Sequence, residues 1–143
     1  MSSAMDAATT PERSSLRALS TKALNDGNFK SAYVGFHKLL LDPGTDLKQV
    51  CNDLNHAVNC LNRLGRLSEF DELIEAAINI RPTNWRFLRV ASQRYRSINH
   101  HGDVVGDKFQ RGNRRNRGKY SNSYERDRVR SLQLLEKACE LCD

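Results

Sequence analysis

Nothing in the 143 residues approaches 18 consecutive apolar positions, so no segment is expected to span a membrane. The opening MSSAMDAATTPERSS lacks a basic stretch followed by an apolar core, so the chain as given carries no secretory signal. Strict alternation of apolar and polar residues is missing too, which leaves no expected strand and an all-helical reading. Catalytic signatures are absent: there is no G-x-S-x-G, P-loop, glycine-rich dinucleotide turn or H-E-x-x-H. Neither an enzyme nor a cofactor is expected. Of four cysteines, Cys51 and Cys60 stand about half a helical turn out of phase. Cys139 and Cys142 form a C-x-x-C without a second such pair or a spaced histidine pair, so all four read as buried small hydrophobes and not as metal ligands. His100, His101 and Asp103 offer metal-ligand types, but adjacent residues make a poor ligand set.

Charge is present but unevenly placed. The chain carries 23 Lys and Arg against 17 Asp and Glu, a formal +6. Residues 108–119 alone hold Lys108, Arg111, Arg114, Arg115, Arg117 and Lys119 with no acid, so the rest of the chain is neutral. This excludes a generally basic coat and leaves a neutral body with one cationic segment. Residues 1–10 read as a disordered lead. The end, LLEKACELCD, falls inside an apolar helical pattern with no cap, so a fragment of a longer protein is expected.

Helical periodicity fills the remainder. Pro11 suits a first turn, and Leu16, Leu19, Ala23 and Leu24 follow before a break at 25–28. Phe29, Ala32, Tyr33, Phe36, Leu39 and Leu40 mark a second helix, ended at 42–44. Asp46 is expected to cap a third, carrying Leu47, Val50, Leu54, Ala57, Val58 and Leu61 to Gly65. Leu67, Phe70, Leu73, Ile74, Ala77 and Ile80 make a fourth, closed by Pro82. Asn84 caps a fifth from Trp85 to about Arg96, and a sixth runs from about Tyr124 to Leu141.

Two stretches are alike. LNDGNFKSAYVGFHKLLLDP and LNRLGRLSEFDELIEAAINIRP share an inter-helix glycine (Gly27, Gly65), an apolar residue two on (Phe29, Leu67) and a closing proline (Pro43, Pro82). This resembles the tetratricopeptide (TPR) repeat, a helix–turn–helix unit of about 34 residues. Phe70 departs from the family's pattern, which has a small residue there. Ser131, Leu135 and Ala138 fit a third unit whose helices are separated by an insertion at 97–123. With that insertion and a lead of about a dozen residues set aside, about 104 residues remain, close to three repeats. The resemblance implies residues 11–143 as three TPR-like antiparallel hairpins in a right-handed superhelical stack, the third interrupted by a long basic loop. Separately, KFQRGNRRNRGKYSNSYERDRVRSLQLLEKA is similar to the helical N-terminal region of some large bacterial alpha-2-macroglobulin-like proteins. Those are extracytoplasmic protease traps, so that resemblance implies a structural spacer and an extracytoplasmic setting. Otherwise a cytoplasmic one is expected.

The candidate chemistry lies on polar helix faces. Asn52, Asn55, Asn59 and Asn62 fall on one stripe roughly 80° wide, flanked by His56 and Arg63. Arg86, Arg89, Gln93 and Arg96 repeat the offsets on the fifth helix, and Arg17 belongs to the first. No acid is expected on this surface. Asparagine costs on the order of 0.5 kcal/mol per helical position relative to alanine, so four of them suggest amides that bind an extended backbone. Arginines beside them suit carboxylates. The arrangement is similar to the carboxylate clamp of chaperone-binding TPR domains, and implies a groove for an extended acidic or C-terminal segment. That partner is a protein or peptide, or the rest of the same chain.

The insertion reads differently. Gly102, Gly106, Gly112 and Gly118 predict a flexible loop. Its six cations, with Phe109, Tyr120 and Tyr124, suit RNA or another polyanion. Alternatively it folds back on acids such as Glu69, Asp71, Glu72 and Glu75. Asp71 and Glu72 themselves read as exposed, with no partner to tune them.

Overall fold

The computed structural model describes residues 8–112 and 118–142. Among them are six α-helices, one 3₁₀ turn and three short strands. The chain divides into two compact units, Met1–Leu64 and Gly65–Asp143.

The first unit is helical. α1 (Thr10–Asn25) opens with a capping box: the Thr9 hydroxyl accepts from the Glu12 amide at 3.3 Å, and the Glu12 carboxylate accepts from the Thr9 amide at 2.7 Å. Two adjacent amides close the helix: Asn28 donates to Ala23 at 2.8 Å and Gly27 to Leu24 at 3.1 Å. That closure needs a left-handed residue, supplied by Gly27 at φ 79°, as Gly65 supplies one at φ 68° after α3. α2 (Phe29–Leu41) packs on both α1 and α3 (Leu47–Arg63) and buries Ala32, Phe36, Leu39 and Leu40 completely or nearly so. Burial of Phe36, Leu39 and Leu40 contributes about 1.5–3 kcal/mol each. Asp46 precedes α3 as expected, but its side chain makes no capping bond.

In the second unit a 3₁₀ turn (Leu67–Glu69) leads into α4 (Phe70–Ile80), and Asn84 caps α5 (Trp85–Ser97) by accepting from the Phe87 amide at 3.2 Å. α6 (Tyr124–Leu141) lies antiparallel on α5: Ser92 faces Ser131, with hydroxyls 2.7 Å apart, and His100 faces Asp127. α5 and α6 therefore pack together across the insertion.

The helical expectation holds for most of the described residues, but the loop expected at 97–123 contains a small sheet. Strands β1 (His101–Val105), β2 (Lys108–Arg111) and β3 (Lys119–Asn122) form an antiparallel sheet in the order β2-β1-β3. Gly102 pairs with Arg111 and Ser121, and Val104 with Phe109 and Lys119. Paired residues share a face, so one face carries a glycine, a serine and a buried arginine among its few apolar residues. An apolar alternation cannot be read from such a face.

Candidate functional site

On α3 the inward stripe Val50, Leu54, Ala57 and Leu61 is buried, and Asn52, Asn55, Asn59 and Asn62 stand exposed on the other side. None of these four amides has a side-chain hydrogen-bond partner among the described residues. His56 is half-buried, its ring 4.9 Å from that of Phe36, so it serves helix packing as well. Arg63 is exposed, its guanidinium 5.4 Å over the Phe29 ring.

Arg17 is placed otherwise than expected. Its Nη2 donates to Asp53 Oδ2 at 2.7 Å and its Nε to Oδ1 at 3.2 Å. The fork is thus filled by a carboxylate that is only 1% exposed. Arg17 is therefore not a free ligand for a partner. Asp53 was legible in hindsight: it shares the buried register of Val50, Leu54 and Ala57, where a carboxylate requires a cation.

α5 presents Arg86, Arg89, Gln93 and Arg96, all exposed. Arg86 lies 4.5 Å over the Trp85 ring. Arg96 also borders an open cleft of about 410 Å³, with His100 beyond the helix end and Tyr124, Arg128, Leu132 and Leu135 of α6.

The cationic segment separates into parts with different roles. Lys108 and Lys119 are exposed, while Arg114, Arg115 and Arg117 lie outside the described residues. Arg111 has a fully buried side chain and binds no external anion, contrary to the expectation for it. Its Nη1 and Nη2 donate to Asp127 at 2.7 and 2.9 Å, its Nη2 and Nε to Asp71 at 2.8 and 3.3 Å, and its Nη1 also to the Asn99 carbonyl at 2.8 Å. The guanidinium lies between Phe70 and Phe109, 5.3 and 5.4 Å from the ring centres. Burial alone makes its charge less favourable, but hydrogen bonds to the two carboxylates outweigh that and raise its pKa above the ordinary arginine value. Burial likewise pushes the Asp127 carboxyl up. Hydrogen bonds from Arg111, His100 and Ser123, with the arginine's charge, win and bring it to about 2. Asp71 is therefore partnered, by Arg111 and also by Arg126 at 3.2 Å. The fold-back onto acids is realised at Asp71.

Further along α4, Glu75 accepts from Tyr95 Oη at 2.5 Å and from Arg130 at 2.7 and 2.9 Å. Burial and the Glu75 contact together push the Tyr95 hydroxyl well above its usual range. His100 Nδ1 lies 2.7 Å from Asp127, and His101 Nδ1 lies 2.6 Å from the Tyr120 hydroxyl. The two histidines thus serve different neighbours, and no group of three potential metal ligands occurs among the described residues. Cys60 is buried and Cys51 half-buried, but Cys139 and Cys142 are exposed, against the expectation of burial. Among the described residues no helix is long and apolar enough to cross a membrane.

Sequence reasoning missed Asp127, although Asp127, Ser131, Leu134 and Ala138 form one buried register on α6. A carboxylate in such a register signals a buried cation. The cleft residues carried no motif. No protein-family model, curated protein or solved structure matches the chain.

Proposed function

We propose that the chain is a non-catalytic recognition module built from TPR-like hairpins. The exposed amides of α3, in the first unit, bind the backbone of an extended segment; the exposed arginines of α5, in the second unit, offer carboxylate-binding chemistry of their own. The observation that carries this reading is the stripe Asn52, Asn55, Asn59 and Asn62, exposed and without side-chain partners on an otherwise well-packed helix. Solubility alone would be met by residues with better helix propensity. Arg86, Arg89 and Arg96 add the carboxylate-binding chemistry; Arg17 and Arg111 do not, because each already holds acids. The test is binding of Asp- and Glu-rich decapeptides by fluorescence anisotropy. Asn55→Ala with Asn59→Ala is expected to weaken the best peptide about tenfold, or about 1.4 kcal/mol. Serine at Arg114, Arg115 and Arg117 is expected to leave it unchanged. Binding indifferent to the asparagines refutes the reading.

A second reading is favoured by the His101–Tyr120 ring stack, centroids 5.8 Å apart, on the sheet face that also carries exposed Lys108. Rings and cations together suit single-stranded RNA. On that reading oligo(U) binding weakens steeply with salt, and each lost phosphate contact flattens the logarithmic slope by about 0.7. A chain that serves as a spacer binds neither probe.

A further inference from the structure

We infer that the open face of α6 docks an amphipathic helix of a partner polypeptide, one bearing an acidic residue on the flank turned toward α5. Tyr124, Arg128, Leu132, Leu135, Cys139 and Cys142 follow one another at steps of three or four residues, which puts them on one stripe. Tyr124 is 56% and Leu132 50% exposed, the two cysteines are exposed, and Leu135 is half-buried at the cleft. The adjoining stripe, Asp127, Ser131, Leu134 and Ala138, is buried. The helix thus has two adjoining faces to cover, and one of them is open.

The chain itself exhibits what covers such a face. The small-then-large pair Ala32 and Phe36 on α2 has its counterpart in Ser131 and Leu135 on α6, so Tyr33 corresponds to Leu132 and Leu40 to Cys139. On α2 these positions are buried, at 7% for Tyr33 and 0% for Phe36 and Leu40, with α3 packed on the helix. The covering helix also sends Asp53 to Arg17 of α1, the hairpin partner of α2. Arg89 stands eight residues before the end of α5, as Arg17 does before the end of α1. Arg89 and Arg96 are exposed and have no side-chain partner among the described residues. Arg128 already has Glu125 at 2.6 Å, so the open cations are those of α5. A helix laid on α6 that repeats the chemistry of α3 places apolar residues at three- and four-residue steps on the stripe, and a carboxylate against α5. This inference shares Arg89 and Arg96 with the peptide reading but makes no use of the amides of α3.

The test uses the full chain and two synthetic 21-residue helices with the same leucine stripe, one with glutamates along a flank and one with lysines. The glutamate helix is expected to bind in the micromolar range and the lysine helix at least tenfold more weakly. Leu132→Glu is expected to weaken the glutamate helix at least tenfold, with the far-ultraviolet circular dichroism of the chain unchanged. Arg89→Glu combined with Arg96→Glu is expected to reverse the preference, which decides the matter should Leu132→Glu fail to fold. Asn55→Ala is expected to change nothing, so failure here is distinct from failure of the peptide reading. Equal binding of the two helices, no binding of either, or indifference to the α5 charge reversal overturns the inference. So does a dimer in sedimentation velocity that Leu132→Glu disperses, because the face would then belong to a second copy.

Discussion

Arg111 stands second in a run of six basic residues, yet its neighbours decide what its charge does. A lone guanidinium out of water costs several kcal/mol, and two carboxylates, a carbonyl and two aromatic rings offset that cost. Asp127→Asn is expected to destabilise the fold by about 3–5 kcal/mol in urea denaturation, because it removes one partner of a buried pair. Arg126→Ala also loses an Asp71 contact, but Arg126 is 53% exposed and the expected loss is below about 1 kcal/mol. Equal losses in the two variants would contradict this account of the cluster. The basic character of residue 111 was legible; its burial was not, since that depends on carboxylates 40 positions upstream and 16 downstream.

At the scale of elements, the helices were readable because each carries its own periodicity and most carry their own stop signals. α1 begins at Thr10, one residue before the expected start, and its capping box uses residues three apart. The sheet was not readable, because its inner face buries a charged residue whose partners lie on helices. Phe70, the departure from the repeat pattern, proves to be one of the rings on which Arg111 rests. The small residues between helices carry a prediction as well. A Cβ on Gly35 would meet the Ser20 Oγ at 1.7 Å and its Cβ at 2.9 Å, so α1 and α2 approach closely there. Gly35→Ala is expected to cost about 1–3 kcal/mol, with part recovered by adding Ser20→Gly. A melt showing no loss for the single variant would rule out that close approach.

For the whole molecule, the titrations define a pH window of stability. Asp127 is held at about 2, and Glu75 is lowered because bonds from Arg130 and Tyr95 outweigh its burial. Both release protons more readily folded than unfolded. Their stabilisation is therefore complete above the unfolded carboxyl range near pH 4, and fades as pH falls toward 2. Tyr95 is shifted the other way: the folded state holds it neutral, so stability declines as pH rises past 10, where the unfolded phenol ionises. Melting temperature against pH should show a plateau with both flanks, and Tyr95→Phe should flatten the alkaline one. An alkaline flank unchanged in that variant would assign the decline to other groups.

The order, type and approximate bounds of the six helices, and the exposed amide stripe on α3, were determined by the sequence alone, because helical periodicity and capping act over a few residues. Which charges remain available to a partner was decided only in the tertiary structure. Arg17 and Arg111 are drawn to Asp53, Asp71 and Asp127 across distances in sequence that no local pattern spans. A charge in water is set by its own residue, whereas a buried charge is set by whatever the fold brings against it.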